Sequence, residues 1–211
     1  MKKGLIFDMD GTLWDSSRGV ADAWNETVRR LGFRRETITR DDIMHAMGKT
    51  MDDFAAAIFP MYGAEERTLL LEACGTYEND YLRIHGGVLY PDLEETLRKL
   101  SGICGLYIVS NCQSGYIEAF LDHYGFGRYF GDIECFGNNG FLKKDNIRLL
   151  SERNGLDKAY YVGDIQADHD AAVAAGCGFI HAAYGFGTVR EDVPVLKSFG
   201  ALPELLAGIG F

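Results

Sequence analysis

The 211 residues of this chain are enough for one large domain, or for a core with a small insertion. A formal net charge of −10 argues against nucleic acid or an anionic membrane surface as partner, but it does not exclude a small anionic substrate held beside a cation. The chain shows no secretory signal and no apolar run of membrane-spanning length, and its five cysteines include no Cys-x-x-Cys pair. We therefore expect a cytoplasmic protein with reduced thiols.

The first element is a short apolar run, Leu5-Ile6-Phe7, that predicts a buried strand, and Asp8-Met9-Asp10-Gly11-Thr12-Leu13 follows it directly. Two aspartates two positions apart at a strand end point the same way. Gly11 permits a sharp turn, and Thr12 offers a hydroxyl and an amide to an anion. One carboxylate can attack phosphorus while the other carries a proton, with a divalent cation between them. The competing interpretation is an Asx-type turn, which the complete motif disfavours.

Helical spacing without a convincing strand runs from residue 15 to residue 84. We predict helices over residues 15–31, with Gly32 as the stop, and over 41–47, 52–59 and 64–84. This pattern indicates a helical cap over residues 16–85, inserted between two parts of an α/β core, residues 1–15 and 86–211. Gly86-Gly87 is expected to be a flexible joint.

From residue 92 onward, helical and strand patterns alternate. The predicted helices cover residues 92–100, 117–124, 145–154 and 170–175, and the predicted strands cover residues 105–109, 132–135, 159–162 and 179–181. Asp92 is expected to cap the first of these helices, residues 137–140 to form a turn, and residues 193–211 to add one strand or helix. Such alternation predicts a doubly wound parallel sheet of the Rossmann-like α/β class.

Three predicted strands end in polar residues: Asp8 and Asp10 after the first, Ser110-Asn111 after the second, and Gly163-Asp164 with Asp168 after the third. In a parallel sheet these ends converge, where each pair of carboxylates at ~4 Å would repel by about 4 kcal/mol at an effective dielectric of 20. All-oxygen ligation favours Mg²⁺ over zinc. For Asp164 and Asp168 the alternative is a helix N-cap and a solvated face.

A lysine and two further polar residues could complete a phosphate site. Lys143 or the adjacent Lys144 can neutralise a carboxylate and a phosphate oxygen, although a solvated surface lysine is the alternative and is preferred for Lys144. Ser110 and Asn111 can hydrogen-bond a phosphoryl group, or they form an ordinary strand-to-helix turn.

The four signatures and their order resemble the haloacid dehalogenase superfamily of phosphatases, and the helical insertion is similar to the cap of its phosphoglycolate phosphatase and beta-phosphoglucomutase branch. The resemblance implies that Asp8 is the nucleophile, which becomes an aspartyl phosphate, and that Asp10 protonates the leaving group and then activates water. It further implies that Ser110 and Lys143 hold the phosphoryl group. The implied Mg²⁺ ligands are Asp8, Asp10 through its backbone carbonyl, and Asp164, with Asp168 nearby.

Three positions depart from the family pattern. Ile165 stands where the family usually has Thr or Ser, Pro91-Asp92 replaces the more common Pro-Gly, and Lys144 follows Lys143 where proline is usual. The last departure leaves a choice of lysine, and Lys143 is chosen because its spacing to the following helix fits better.

The resemblance implies a Mg²⁺-dependent phosphatase of small phosphorylated metabolites, with Gly11, Thr12 and Asn111 expected to bind substrate. Lys49 is the candidate from the cap, with a solvated lysine as an equal alternative. A phosphosugar mutase is the alternative enzyme, and a non-catalytic phosphate-binding protein is the alternative outside enzymes. No nucleic acid or membrane partner is expected, and the chain is expected to be a monomer or a small homo-oligomer.

Overall fold

The computed structural model describes residues 1–211, and its centre is a parallel sheet. The chain contains eight strands: β1 (Lys3–Phe7), β2 (Trp14–Asp15), β3 (Val88–Leu89), β4 (Gly105–Ser110), β5 (Asp132–Cys135), β6 (Lys158–Gly163), β7 (Gly178–Ala182) and β8 (Val195–Leu196). Six of them form one sheet in the order β5-β4-β1-β6-β7-β8, with every neighbouring pair parallel. The predicted doubly wound α/β fold is confirmed, and β1 lies between β4 and β6, so the ends of these three strands meet.

Ten helices accompany the strands: α1 (Ser17–Leu31), α2 (Arg40–Ala46), α3 (Met51–Ile58), α4 (Ala64–His85), α5 (Leu93–Leu100), α6 (Tyr116–Tyr124), α7 (Phe136–Asn139), α8 (Lys143–Arg153), α9 (Gln166–Ala174) and α10 (Leu202–Gly208). The first four follow one another between β2 and β3, and we call them the cap helices. Gly32 ends α1 with a φ of 74°, and the hydroxyls of Thr39 and Thr50 accept backbone amides at the starts of α2 and α3.

The cap helices enclose aromatic side chains that are continuous with the core beside the sheet. Trp24 on α1 is fully buried and stacks on Phe59, with ring centroids 5.6 Å apart and planes 9° apart. Phe54 on α3 packs against the same indole ring at 5.0 Å. Aromatic side chains bury large apolar areas, so these contacts give the insertion a core that helps to hold its helices together.

A two-stranded antiparallel ribbon of β2 and β3 joins the cap helices to the sheet, with Trp14 opposite Leu89 and Asp15 opposite Val88. Neither strand was predicted, because two residues are too few to show an alternating pattern in the sequence. At Gly86-Gly87, predicted to be a flexible joint, Tyr124 Oη accepts from the Gly87 amide at 3.0 Å and donates to the Gly87 carbonyl at 2.8 Å. A Cβ at Gly87 would lie 2.9 Å from the Asp15 carbonyl oxygen, so close packing explains the glycine.

Three smaller expectations also change. Residues 137–140 were expected to form a turn, but Phe136–Asn139 form the single-turn helix α7. Asp92 precedes α5 without a side-chain hydrogen bond to it, because its backbone is left-handed with a φ of 63°. The tail supplies both a strand, β8, and a helix, α10, with a 3-10 turn at Phe199–Ala201 between them. No helix combines the length and apolarity that crossing a bilayer requires.

Candidate active site

Asp8 follows the last residue of β1, at the centre of the sheet edge where strand ends meet. Its amide donates to the Val162 carbonyl at 2.9 Å, which continues the pairing of β1 with β6, and the residue is buried. The chain then turns at Gly11, whose φ is +81°. A Cβ at Gly11 would come within 2.1 Å of Asp164 Oδ2, so only glycine allows this close approach.

Lys143, the first residue of α8, contacts two carboxylates. Its Nζ lies 2.9 Å from Asp8 Oδ1 and 2.6 Å from Asp168 Oδ1, and all three side chains are buried. Burial alone would lower the pKa of this lysine, but the carboxylates of Asp168 and Asp8 outweigh burial and raise it. The neighbouring Lys144 is exposed. Of the two adjacent lysines, Lys143 is therefore the one that the structure brings to the site.

Asp8, Asp164 and Asp168 form a buried acidic cluster whose carboxylate oxygens lie within 4.8 Å of one another. Burial, followed by repulsion from the neighbouring carboxylates, raises the pKa of Asp164 to about 8. Burial likewise raises the pKa of Asp8 to about 6, and the ion pair with Lys143 only partly offsets this effect. One lysine cannot balance three carboxylates in a region of low dielectric, so the cluster is suited to a cation.

The donor set of the cluster fits a small divalent cation. It consists of carboxylate oxygens without histidine or cysteine, which is the chemistry that Mg²⁺ prefers. Asp168 is already held by Lys143 and by the amides of Asp164 and Ile165, at 3.1 and 3.3 Å from its Oδ2. Asp8 and Asp164 are therefore the residues with carboxylate oxygens best placed for a metal ion, and Asp168 orients its surroundings.

The side chain of Asp10 lies outside this cluster, in a different network. Ser16 Oγ donates to its Oδ1 at 2.5 Å, and Tyr116 Oη lies 2.8 and 2.9 Å from its two carboxyl oxygens. Burial raises the pKa of Asp10 to about 7, although the bonds from Ser16 and Tyr116 act in the opposite direction. A carboxyl group with this pKa can both donate and accept a proton near neutral pH, as general acid and base catalysis requires.

A partly open cavity of about 50 Å³ lies between the sheet edge and the cap helices, with Asp8, Asp10 and Ser110 among its lining residues. This volume is several times what one water molecule needs, so it suits a group of a few heavy atoms. Asn111 Nδ2 donates to the Gly48 carbonyl at 2.9 Å, which joins the end of β4 to the loop between α2 and α3. Lys49 in this loop lines the cavity and remains exposed to solvent.

The turn after β1 differs from the sequence expectation for Gly11 and Thr12. The Thr12 amide, expected to face an anion, donates to the Met9 carbonyl at 3.1 Å, and the Gly11 amide donates to the Trp14 carbonyl at 3.0 Å. Both amides are thus used inside the turn. The Thr12 hydroxyl is buried without a hydrogen-bond partner. These contacts shape the turn that carries Asp8 and Asp10, and they leave neither amide free for a phosphate.

Glu78 on α4 is a functional candidate that the sequence reasoning missed. It is buried, lines the cavity opposite the sheet edge, and accepts a hydrogen bond from the Trp24 indole Nε1. Burial raises its pKa to about 7. The sequence could have indicated its burial, because it lies in an otherwise apolar stripe of α4. The stripe recurs every four residues and consists of Leu70, Cys74, Glu78 and Leu82. Tyr116 and Ser16 were also missed, and no local motif marks them.

The chain is similar to proteins of known sequence and structure. The model of a family described as "Haloacid dehalogenase-like hydrolase" matches residues 5–182. A "Phosphoglycolate phosphatase" of Rhodobacter capsulatus is 26% identical over 221 residues, which cover 99% of this chain and 98% of that protein. A protein of the same name from Vibrio vulnificus strain CMCP6 is 30% identical, with 87% of this chain and 85% of that protein covered. A haloacid dehalogenase-like family hydrolase from Streptococcus pneumoniae has a similar fold, with a TM-score of 0.79 at 21% identity, and covers 99% of this chain and 98% of that one.

Proposed function

The chain belongs to the haloacid dehalogenase-like hydrolase family, and from this premise we propose that it is a Mg²⁺-dependent phosphatase that hydrolyses small phosphomonoesters through an aspartyl-phosphate intermediate. The single observation that carries the proposal is the placement of Asp8, which is paired with Lys143, grouped with Asp164 and Asp168, and lines a cavity. A nucleophile, a fixed cation and an acidic cluster for a metal are thereby assembled beside space for a substrate.

In the first step, an Asp8 carboxylate oxygen attacks phosphorus and the bond from phosphorus to the leaving oxygen breaks. Lys143, bonded to Asp8 at 2.9 Å, orients the nucleophile and faces the transferring phosphoryl oxygens with its positive charge. Bound Mg²⁺, held by Asp8 and Asp164, would neutralise charge on the phosphoryl group and on the nucleophile. Ser110 lines the cavity beside Asp8, and its hydroxyl would donate a hydrogen bond to the phosphoryl group.

Asp10 acts on the leaving group and then on water. In its protonated form it gives a proton to the departing alkoxide, and the resulting carboxylate then takes a proton from the water that attacks the aspartyl phosphate. A pKa of about 7 supports both forms near neutral pH. The bonds from Ser16 and Tyr116 fix the orientation of this carboxyl group between the two steps.

The proposal is tested by phosphate release from a panel of phosphomonoesters, including an aryl phosphate and the 2-phosphoglycolate after which several relatives are named. We expect release with Mg²⁺, loss of release in excess chelator, and loss of at least a thousandfold in Asp8→Asn, since an amide cannot attack phosphorus. Unfolding measurements should show that the variant remains folded. Turnover within tenfold of the wild type in folded Asp8→Asn would contradict the mechanism.

A further inference from the structure

The residues that line the cavity indicate which leaving groups it accepts. This inference rests on the proposed phosphatase function. Beyond Asp8 and Asp10, its polar wall includes Glu78, Asn111 and Gln113, whereas much of the remaining surface is apolar. We propose that Glu78 and Asn111 select phosphate esters of small alcohols whose leaving group bears a further hydrogen-bond donor, a hydroxyl or an ammonium, and that they disfavour a leaving group bearing a carboxylate.

Glu78 presents a buried carboxyl group that no lysine or arginine neutralises. The Trp24 indole donates to Oε2, and the amide of Gln113 lies beside the carboxyl group and donates to Asn79. No hydrogen bond to the other oxygen, Oε1, is present, and Glu78 lines the cavity, so its carboxyl group keeps an acceptor there. A hydroxyl or ammonium hydrogen can meet this oxygen whether Glu78 is ionised or neutral, since both forms accept.

Asn111 adds a second acceptor with a fixed orientation. Its Nδ2 donates to the Gly48 carbonyl, so the other terminal atom of the amide must be the oxygen, Oδ1. This oxygen is buried and has no hydrogen-bond partner. An unpaired buried acceptor is unfavourable, and a donor on the substrate would satisfy it.

The charges around the cavity also favour a donor over a carboxylate on the leaving group. Lys49 is the only basic residue among those that line the cavity, and it is exposed, whereas Asp10 and Glu78 are buried. A carboxylate on the leaving group would be repelled by these two acidic side chains, and the only cation that lines the cavity, Lys49, is screened by solvent. A hydroxyl experiences no such repulsion, and an ammonium is attracted.

The apolar lining and the volume limit the size of the alcohol. Trp24, Met47 and Phe54 line the cavity together with the acceptors, and the cavity measures about 50 Å³. These dimensions fit a two- or three-carbon chain that contacts the apolar wall and places one donor at Glu78.

The test uses four esters that share a two-carbon chain: ethyl phosphate, 2-hydroxyethyl phosphate, 2-aminoethyl phosphate and 2-phosphoglycolate. In the wild type, kcat/KM should be at least tenfold higher for the hydroxyethyl or the aminoethyl ester than for ethyl phosphate, and 2-phosphoglycolate should rank below both donors. Glu78→Leu should lower kcat/KM for the preferred donor ester to the value for ethyl phosphate. Glu78→Gln, which keeps an acceptor without the charge, should raise 2-phosphoglycolate about tenfold relative to ethyl phosphate.

The matched control is Glu72→Gln, which changes an exposed carboxylate on the same helix and should leave all ratios unchanged. Ratios between substrates do not depend on how much of each variant is folded. Preference for 2-phosphoglycolate, or ratios that Glu78→Gln and Glu78→Leu leave unchanged, would overturn the inference while Asp8-dependent hydrolysis of an aryl phosphate would still support the phosphatase. If no ester, including the aryl phosphate, is hydrolysed, the proposed function and this inference both fail.

Discussion

Replacing Asp164 by asparagine should stabilise the metal-free protein. The carboxylate oxygens of Asp8, Asp164 and Asp168 lie within 4.8 Å of one another. At an effective dielectric of 20, each like-charged pair at this distance repels by about 3.5 kcal/mol. Asp164 takes part in two such pairs, and the attraction of Lys143 offsets up to one of them. Asparagine keeps a carbonyl oxygen to accept the Phe186 amide, now at 2.7 Å. We therefore expect a gain of about 3 kcal/mol in the free energy of unfolding when all three groups are ionised.

The pH dependence of this gain follows from the raised pKa. Because the pKa of Asp164 rises from 3.8 to about 8 on folding, the folded protein binds more protons than the unfolded chain between these values. The stability of the metal-free wild type therefore falls as pH rises through this window, by as much as about 1.4 kcal/mol per pH unit from this group. The advantage of Asp164→Asn should be small at pH 5 and largest near pH 8.

Thermal unfolding in excess chelator measures the effect directly. For a chain of about this size, 3 kcal/mol corresponds to a rise in Tm of roughly 6–12 °C. Titration with Mg²⁺ should stabilise the wild type by about 2.7 kcal/mol at a hundred times Kd, and it should leave the variant unchanged. Asp170→Asn removes an exposed carboxylate from α9 as the control, with an expected change within about 0.5 kcal/mol. A metal-free Asp164→Asn that is less stable than the wild type at pH 8, or that gains as much from Mg²⁺, would refute the reasoning.

Two further predictions concern the groups around Asp8. Lys143→Met should lower kcat/KM at least a hundredfold by removing the cation 2.9 Å from Asp8, whereas Lys144→Met, which changes the exposed neighbour, should stay within threefold in the same phosphate-release assay; equal losses would contradict the assignment. Asp10→Asn should slow the first step at least tenfold more for an alkyl phosphate than for an aryl phosphate, whose leaving group needs little protonation. Single-turnover measurements decide this, and equal losses for the two esters would show that Asp10 is not the acid.

Much of the site could be predicted because its residues follow strand ends in short, fixed patterns. Asp8, Asp164 and Asp168 belong to two such patterns, and a parallel sheet brings strand ends together whatever the details of packing. The choice of Lys143 over Lys144 was also readable, from the spacing to the helix that follows. Each of these inferences needs only local sequence and a general rule of sheet geometry.

The parts that could not be predicted depend on contacts between distant segments. Tyr116 reaches Asp10 across 106 positions of sequence, and Trp24 reaches Glu78 across 54. A tyrosine at the start of a helix and a glutamate in an amphipathic helix are each common, so nothing local distinguishes them. The tight packing of Gly87 depends likewise on Tyr124, 37 positions away, and a glycine pair alone suggests mobility.

The ribbon of β2 and β3 brings the two ends of the cap segment together. Because Trp14 pairs with Leu89 and Asp15 with Val88, the chain leaves the sheet and returns to it at adjacent points. A segment whose ends are already side by side can change in length at little entropic expense, about 0.6 kcal/mol for each doubling of a flexible loop. Asp8 and the acidic cluster lie on the sheet side of the ribbon, while Glu78 and Lys49 lie on the other. Grafting a different helical insertion at this ribbon is therefore a route to new substrate preferences that leaves the phosphoryl chemistry in place.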